Sequence, residues 1–247
     1  MNTTDLNIML LAFIAGLLVL ATHVPLGMKV LARGIIFVDL AVAQIAGLGV
    51  IVAGLLELES NTYAVQGMAA TSALLGAALL AYAERKLPQV QEAVIGLVFV
   101  LAASGGVLLL SRDVHAGEHL KDLLVGQILW VSNGQLIATA ILTAGLVVLW
   151  RLFSQRLIGF GFYALFALAV TASVQLVGVY LVFTSLIVPA LATHRCTQWR
   201  TAIAYAIGIA GYATGLLLSE WLDLPTGPAI VWAMALCGAA VMQWKRS

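Results

Sequence analysis

The chain has 247 residues, of which 62% are hydrophobic and only 9% are charged, and its formal net charge is +1. A soluble domain carries about 25% charged and about 45–50% apolar residues, so too few polar side chains remain here to cover a water-exposed surface. The near-neutral charge also argues against a nucleic-acid partner. We therefore expect an integral membrane protein.

Nine apolar runs are candidates for helices that cross a bilayer. Such a helix needs about 20 mostly apolar residues, and backbone groups in lipid must be satisfied within the segment. The runs cover roughly residues 8–26, 34–56, 67–84, 94–111, 135–152, 158–174, 176–193, 202–219 and 227–243. The nearly continuous pair over 158–193 is split near Ser173, Val174 and Gln175. The predicted fold class is an all-α, polytopic transmembrane helical bundle of about eight to nine spans, in one domain over residues 1–247.

Basic residues predict the orientation of these runs, because cytoplasmic loops collect Lys and Arg. Five basic pairs fall on one side if the N-terminus is outside and residues 120–132 do not cross: Lys29 and Arg33, Arg85 and Lys86, Arg151 and Arg156, Arg195 and Arg200, Lys245 and Arg246. Most of the acids then lie on the other side. The segment 120–132 is apolar but, at about 13 residues, short for a span. We expect it to lie at the interface or to dip in and return.

One acid lies well inside a predicted span rather than at its end. Asp39 falls in the second run, where an ionisable group is costly and usually faces a cavity or a partner. Its carboxylate and the amide oxygen of Gln44 are the ligands that hard divalent cations favour. Residues five apart on a helix do not share a face closely, however. The alternative is a structural anchor, with Asp39 bound to Arg33 or to a neighbouring helix.

The predicted external segment 111–122 carries two of the four histidines. On a helix, His115, Glu118, His119 and Asp122 stand at i, i+3, i+4 and i+7, so they share one face. Imidazole and carboxylate groups at this spacing can chelate zinc or manganese. A glycine within the segment interrupts such a helix. The alternative is a polar interfacial loop, in which Glu118 and Asp122 begin an amphipathic helix.

Four stretches are informative when they are taken in chain order. They are QEAVIGLVFVLAASGGVLLLS (91–111), DLLVGQILWVS (122–132), VQLVGVYLVFTSLIVPALAT (174–193) and LSEWLDLPTGPAIV (218–231). Together they resemble the permease subunits of zinc, manganese and iron ABC importers, the ABC-3 family. The resemblance implies a homodimer or paired permease around a central pathway, a cytoplasmic ABC ATPase subunit and an extracytoplasmic metal-binding protein. Zinc, manganese or iron would then be the transported substrate, with no tightly bound cofactor.

The second run departs from that family. Its usual Asp-Ala-Leu-Ser-His places Asp and His four apart on one face toward the pathway, whereas Ala43 occupies the histidine position after Asp39 here. The loop 151–159 is also shorter than the family's usual coupling segment. The sequence has no GxxxxGK[ST] phosphate-binding motif. ATP hydrolysis is therefore expected on a partner chain, and this chain is not expected to be an enzyme.

Three functions remain open on the sequence. The first is the permease subunit of a metal ABC importer in a bacterial inner (plasma) membrane, with the N-terminus outside and the C-terminus cytoplasmic. The second is an ion-coupled secondary carrier, which the single acid in the spans and the lack of a paired inverted repeat disfavour. The third is a non-transporting membrane assembly partner, which the missing Asp-xxx-His pair keeps open. Carboxylate and imidazole serve zinc, manganese and iron alike, so the metal stays undecided.

Overall fold

The computed structural model describes residues 3–56, 58, 61–110, 124–153 and 159–244. These residues form nine α-helices and no β-strand. The helices are Thr3–Arg33 (α1), Val38–Leu55 (α2), Thr62–Lys86 (α3), Gln91–Leu109 (α4), Asn133–Phe153 (α5), Phe160–Val177 (α6), Val179–Ala192 (α7), Arg200–Leu222 (α8) and Thr226–Trp244 (α9). Eight of them are long and apolar enough to cross a membrane, and α7, with 14 residues, is shorter. The predicted all-α polytopic bundle is confirmed.

The chain divides into two compact units. The first contains Met1–Arg33, Leu124–Val147 and Ser173–Ser247, and the second contains Gly34–Leu123 and Val148–Ala172. The prediction of a single permease domain over the whole chain stays a prediction.

In the first unit, glycines allow helix backbones to approach closely. A methyl group added to Gly27 of α1 would overlap the backbone carbonyl oxygen of Leu186 in α7, and one added to Gly215 of α8 would overlap the backbone of Ile230 in α9. Small residues at such crossings are the usual basis of packing in lipid, where burial of apolar surface no longer drives helices together. The Tyr212 and Ser185 hydroxyls, 3.0 Å apart and both fully buried, form a hydrogen bond in this core.

In the second unit, α2 packs against both α3 and α4. Gly49 lies so close to α3 that a methyl group there would come within 2.6 Å of the Met68 carbonyl oxygen. Helix α3 begins where the Asn61 side chain accepts hydrogen bonds from the backbone N–H groups of Tyr63 and Ala64, at 3.1 and 3.2 Å. Asn at this position satisfies amides that have no partner within the helix.

The first helix is longer than the predicted run 8–26, because it continues through Pro25 to Arg33. Lys29 and Arg33, predicted to follow the span, lie in the helix itself. A proline removes the hydrogen bond to the carbonyl four residues earlier, which here belongs to Ala21. The Tyr205 hydroxyl donates to that carbonyl oxygen at 3.3 Å. This substitute bond from α8 gives a physical reason why Pro25 does not end the helix.

The break between α6 and α7 lies at Gly178, so its predicted position near Ser173–Gln175 is wrong. Gly178 still donates its N–H to the Val174 carbonyl at 2.8 Å, and only then does the backbone turn, with a φ of 84°. This conformation favours glycine because a side chain would clash with the backbone. Ser and Gln stay helical just before it, because tertiary contacts outweigh their weak preference for other conformations.

The described part of the predicted non-crossing segment, residues 124–132, contains no membrane-length helix. Its main element is one 3₁₀ turn, Ile128–Trp130, followed by an extended Val131. Residues 120–123 lie outside the described residues. The segment therefore matches the predicted short, non-crossing stretch as far as the structure describes it.

We expect Gly27→Ala to destabilise the protein, because the added methyl group would overlap the rigid backbone of α7. Overpacking of this kind costs about 1–3 kcal/mol. The matched control is Gly145→Ala in α5, where a Cβ meets nothing within 4 Å. Thermal unfolding in detergent should give a lower apparent Tm for Gly27→Ala and an unchanged or higher one for the control. Equal Tm values would contradict the packing described.

Candidate functional site

Asp39 is the second residue of α2 and is completely buried. Neither of its carboxylate oxygens has a hydrogen-bond partner among the described residues. A charged carboxylate buried without donors costs several kcal/mol, so such a group is neutralised by a proton or by a cation. A hydrogen-bonded structural anchor, one of the two predicted roles, is therefore not seen in the part of the chain that the structure describes.

Asp39 shares one face of α2 with small, buried residues. Ala43, Ala46 and Ala53 follow at helical spacing and are at most 3% exposed. Gln44 is rotated by about 140° from Asp39 at 3.6 residues per turn and is only half-buried. It lies one turn before Leu48, whose side chain packs beside Gly105 of α4. The structure therefore does not bring Asp39 and Gln44 together on one face.

The four predicted external ligands, His115, Glu118, His119 and Asp122, lie outside the described residues. Their prediction as a metal-handling face stays a prediction. Within the described ranges, no group of three or more His, Cys, Asp or Glu side chains is arranged to hold a metal ion. Of the six metal ligands predicted from the sequence, the structure therefore describes only Asp39 and Gln44.

Glu92 is an acid that the sequence analysis did not single out. The predicted run began at residue 94, but α4 begins at Gln91 and places Glu92 in its first turn. Its Oε1 accepts a hydrogen bond from the backbone N–H of Phe37 at 3.3 Å, just before α2, and its Oε2 is buried without a hydrogen-bond partner. The preference of acids for the first turn of a helix was the signal that would have extended the run.

His23 lies inside α1 and is fully buried. Its Nδ1 is 3.0 Å from the Val19 carbonyl oxygen and 3.0 Å from the Thr22 hydroxyl, while Nε2 has no partner in the described structure. The His23 ring is thus held inside the core by groups of its own helix.

One solved structure resembles this fold closely. PsaBC from Streptococcus pneumoniae in complex with Fab superposes with a TM-score of 0.73 at 20% sequence identity, over 95% of this chain and 89% of that chain. At this identity the likeness establishes the fold.

Curated relatives include a probable iron transport system membrane protein of Haemophilus influenzae, 28% identical over 166 residues, or 57% of this chain and 60% of the relative. The chelated iron transport system membrane protein YfeD of Yersinia pestis is 30% identical over 169 residues, 59% of this chain and 56% of the relative. The matches thus span less than two thirds of either relative. A model of the ABC 3 transport family matches residues 5–162 and 153–244. The chain is a multi-pass membrane protein that belongs to the ABC 3 transport family.

Proposed function

We propose that the chain is the membrane-spanning permease subunit of an ABC transporter that imports a divalent metal ion, energised by a separate ATPase subunit. The family match over both halves of the chain carries this proposal. Similar proteins named for iron or metal transport support a metal cargo. The cargo is zinc, manganese or iron.

The proposed assembly contains a homodimer or paired permease, a cytoplasmic ABC ATPase and an extracytoplasmic metal-binding protein. The absence of a nucleotide-binding motif from the sequence supports an ATPase on another chain. The Lys and Arg distribution supports an N-terminus outside and a C-terminus in the cytoplasm of a bacterial inner membrane. In this assembly the chain binds no nucleic acid and no resident cofactor, and it catalyses no reaction itself.

We propose that the Asp39 carboxylate binds the metal ion as the ion crosses the membrane. A buried carboxylate without donors is well suited to a passing divalent cation, because the cation supplies the missing neutralising charge. Ala43, on the same face, contributes no imidazole, so the donor set at this level is oxygen-rich. Gln44 is proposed as a separate oxygen ligand, and His115, Glu118, His119 and Asp122 as the face that receives the ion outside.

The ATPase prediction tests the proposed function directly. The chain is reconstituted with the proposed ATPase and the proposed metal-binding protein. We expect ATP hydrolysis to rise several-fold when the binding protein carries metal, because delivery and hydrolysis are coupled in an importer. A rate of ATP hydrolysis that does not change with metal or with the binding protein would overturn the proposal. Metal uptake that is driven by an ion gradient without ATP would favour the secondary carrier.

Asp39→Asn should separate transport from stability. The amide has the same shape but no charge, so we expect metal uptake to fall by about tenfold or more, the size of one lost ligand interaction. The apparent Tm should be unchanged or higher, since an unpaired buried carboxylate is unfavourable for folding. Glu220→Gln, an exposed carboxylate of α8, is the matched control and should behave like the wild type. If Asp39→Asn takes up metal at the wild-type rate, Asp39 does not contribute to the metal pathway.

His115→Ala with His119→Ala should reduce metal-dependent growth and uptake at low metal concentration, because two imidazole ligands are lost from the proposed receiving face. His194→Ala removes an exposed histidine elsewhere and serves as the control. Growth and uptake equal to that control would refute the external ligand face and leave Asp39 untouched.

A further inference from the structure

The first unit contains an open cavity of about 480 Å³ that none of the proposed metal residues lines. One wall is the non-helical stretch Val125–Trp130, and the other is the turn Asp223–Gly227. Both walls belong to stretches that were singled out in the sequence, 122–132 and 218–231. The volume is within the range of about 300–1,000 Å³ that is typical of small-ligand sites.

The first wall is fixed by contacts of backbone with backbone. Gly126 has a φ of 70°, Gly178 has a φ of 84°, and a methyl group on either glycine would overlap the backbone of the other segment. Where the two walls meet, a methyl group on Gly227 would come within 2.7 Å of the Val125 carbonyl oxygen. These contacts hold the two walls together, so the cavity is formed before any ligand arrives.

The second wall is fixed by hydrogen bonds around Ser219. Its hydroxyl donates to the Leu224 carbonyl oxygen at 2.7 Å and lies 2.7 Å from the Thr226 hydroxyl. The Leu224 N–H donates back to the Ser219 carbonyl at 3.0 Å. Asp223, between them, adopts a left-handed conformation with a φ of 51°. A preformed site loses less conformational entropy when it binds.

The chemistry of the cavity is that of a site for a planar cation. Asp223 is the only charged residue among the described residues that line it, and Trp130 lines it with 78% of its surface exposed. A carboxylate accepts paired hydrogen bonds from a guanidinium group, and an indole face attracts the same cation. Arginine combines both interactions more fully than lysine does.

A bare metal ion fits this cavity less well. A divalent cation of the calcium class takes six or more oxygen ligands, and magnesium-like ions need a tight octahedron, whereas one carboxylate lines the cavity. The space is also much larger than one ion with its protein ligands, since a water molecule occupies about 30 Å³. A cationic side chain presented on a protein loop is the occupant that the single carboxylate and the open form of the cavity favour.

We propose that this cavity receives an arginine side chain from a loop of a soluble protein partner, held between Asp223 and Trp130. The inference rests on the proposed function, in which this surface faces outward and the partner is the extracytoplasmic metal-binding protein. Tryptophan and arginine are the residues that most often dominate binding energy at protein interfaces.

The first experiment tests the ligand class with the purified full chain. N-acetyl-arginine methylamide is titrated in saturation-transfer NMR, with the neutral citrulline analogue beside it. We expect saturable binding of the arginine compound only, lost in Asp223→Asn and kept in Glu220→Gln. Asn also tolerates the left-handed conformation, so the fold of the turn is preserved. Equal binding of the two compounds, or binding that Asp223→Asn leaves unchanged, would overturn the proposal.

The second experiment measures the affinity of the metal-loaded binding protein for the chain with its ATPase in nanodiscs. Asp223→Asn should weaken binding by about tenfold, or ~1.4 kcal/mol, with basal ATPase activity unchanged, while Glu220→Gln binds like the wild type. If the binding protein binds Asp223→Asn as tightly as the wild type, the proposed docking site is wrong. Phosphatidylethanolamine that copurifies with the wild type but not with Asp223→Asn would identify a lipid headgroup as the occupant instead.

The two experiments distinguish the possible failures. In one outcome, arginine binds in an Asp223-dependent manner, but the binding protein does not stimulate the ATPase. This result would overturn the proposed importer function and still support the chemistry of the cavity. Metal-stimulated ATPase with no arginine binding would support the importer and overturn the cavity proposal.

Discussion

The structure depends on one constraint, which is that every backbone N–H and C=O in lipid needs a partner inside the protein. Helices meet this need along most of the chain. Between helices, the same constraint favours close contact, and glycines such as Gly27 and Gly215 allow a neighbouring backbone to approach where any side chain would be in the way. Hydrophobic burial cannot supply this cohesion, since lipid is as apolar as the helices themselves.

Two departures from regular helix are accommodated by contacts with other parts of the chain. The carbonyl of Ala21, left without its usual donor by Pro25, receives the Tyr205 hydroxyl. The backbone at Gly178 packs on the backbone at Gly126. Asp39 is the contrast, since its carboxylate is buried with both oxygens unpartnered in the described residues. A buried carboxylate with neither oxygen hydrogen-bonded is a place where function is expected.

The sequence predicted the parts of this protein that follow from composition and periodicity. Nine helices were predicted within a few residues of their midpoints, and residues 124–132 lack a long helix as expected. Ends were less predictable, because the substitute bond to Ala21 and the close approach at Gly178 come from residues far away in the chain. The candidate site shows the same division. Asp39 was identified because an acid in an apolar run is conspicuous, whereas Glu92 was missed because its role depends on contact with the start of α2.

The short helix α7 has a consequence for the bilayer. Its 14 residues extend about 21 Å at 1.5 Å per residue, while the hydrocarbon layer is about 30 Å thick. Helix α7 alone is therefore too short to cross that layer. At its Gly178 end, the backbone packs directly on the backbone of Gly126. The peptide groups at this end of α7 therefore meet other protein segments rather than lipid.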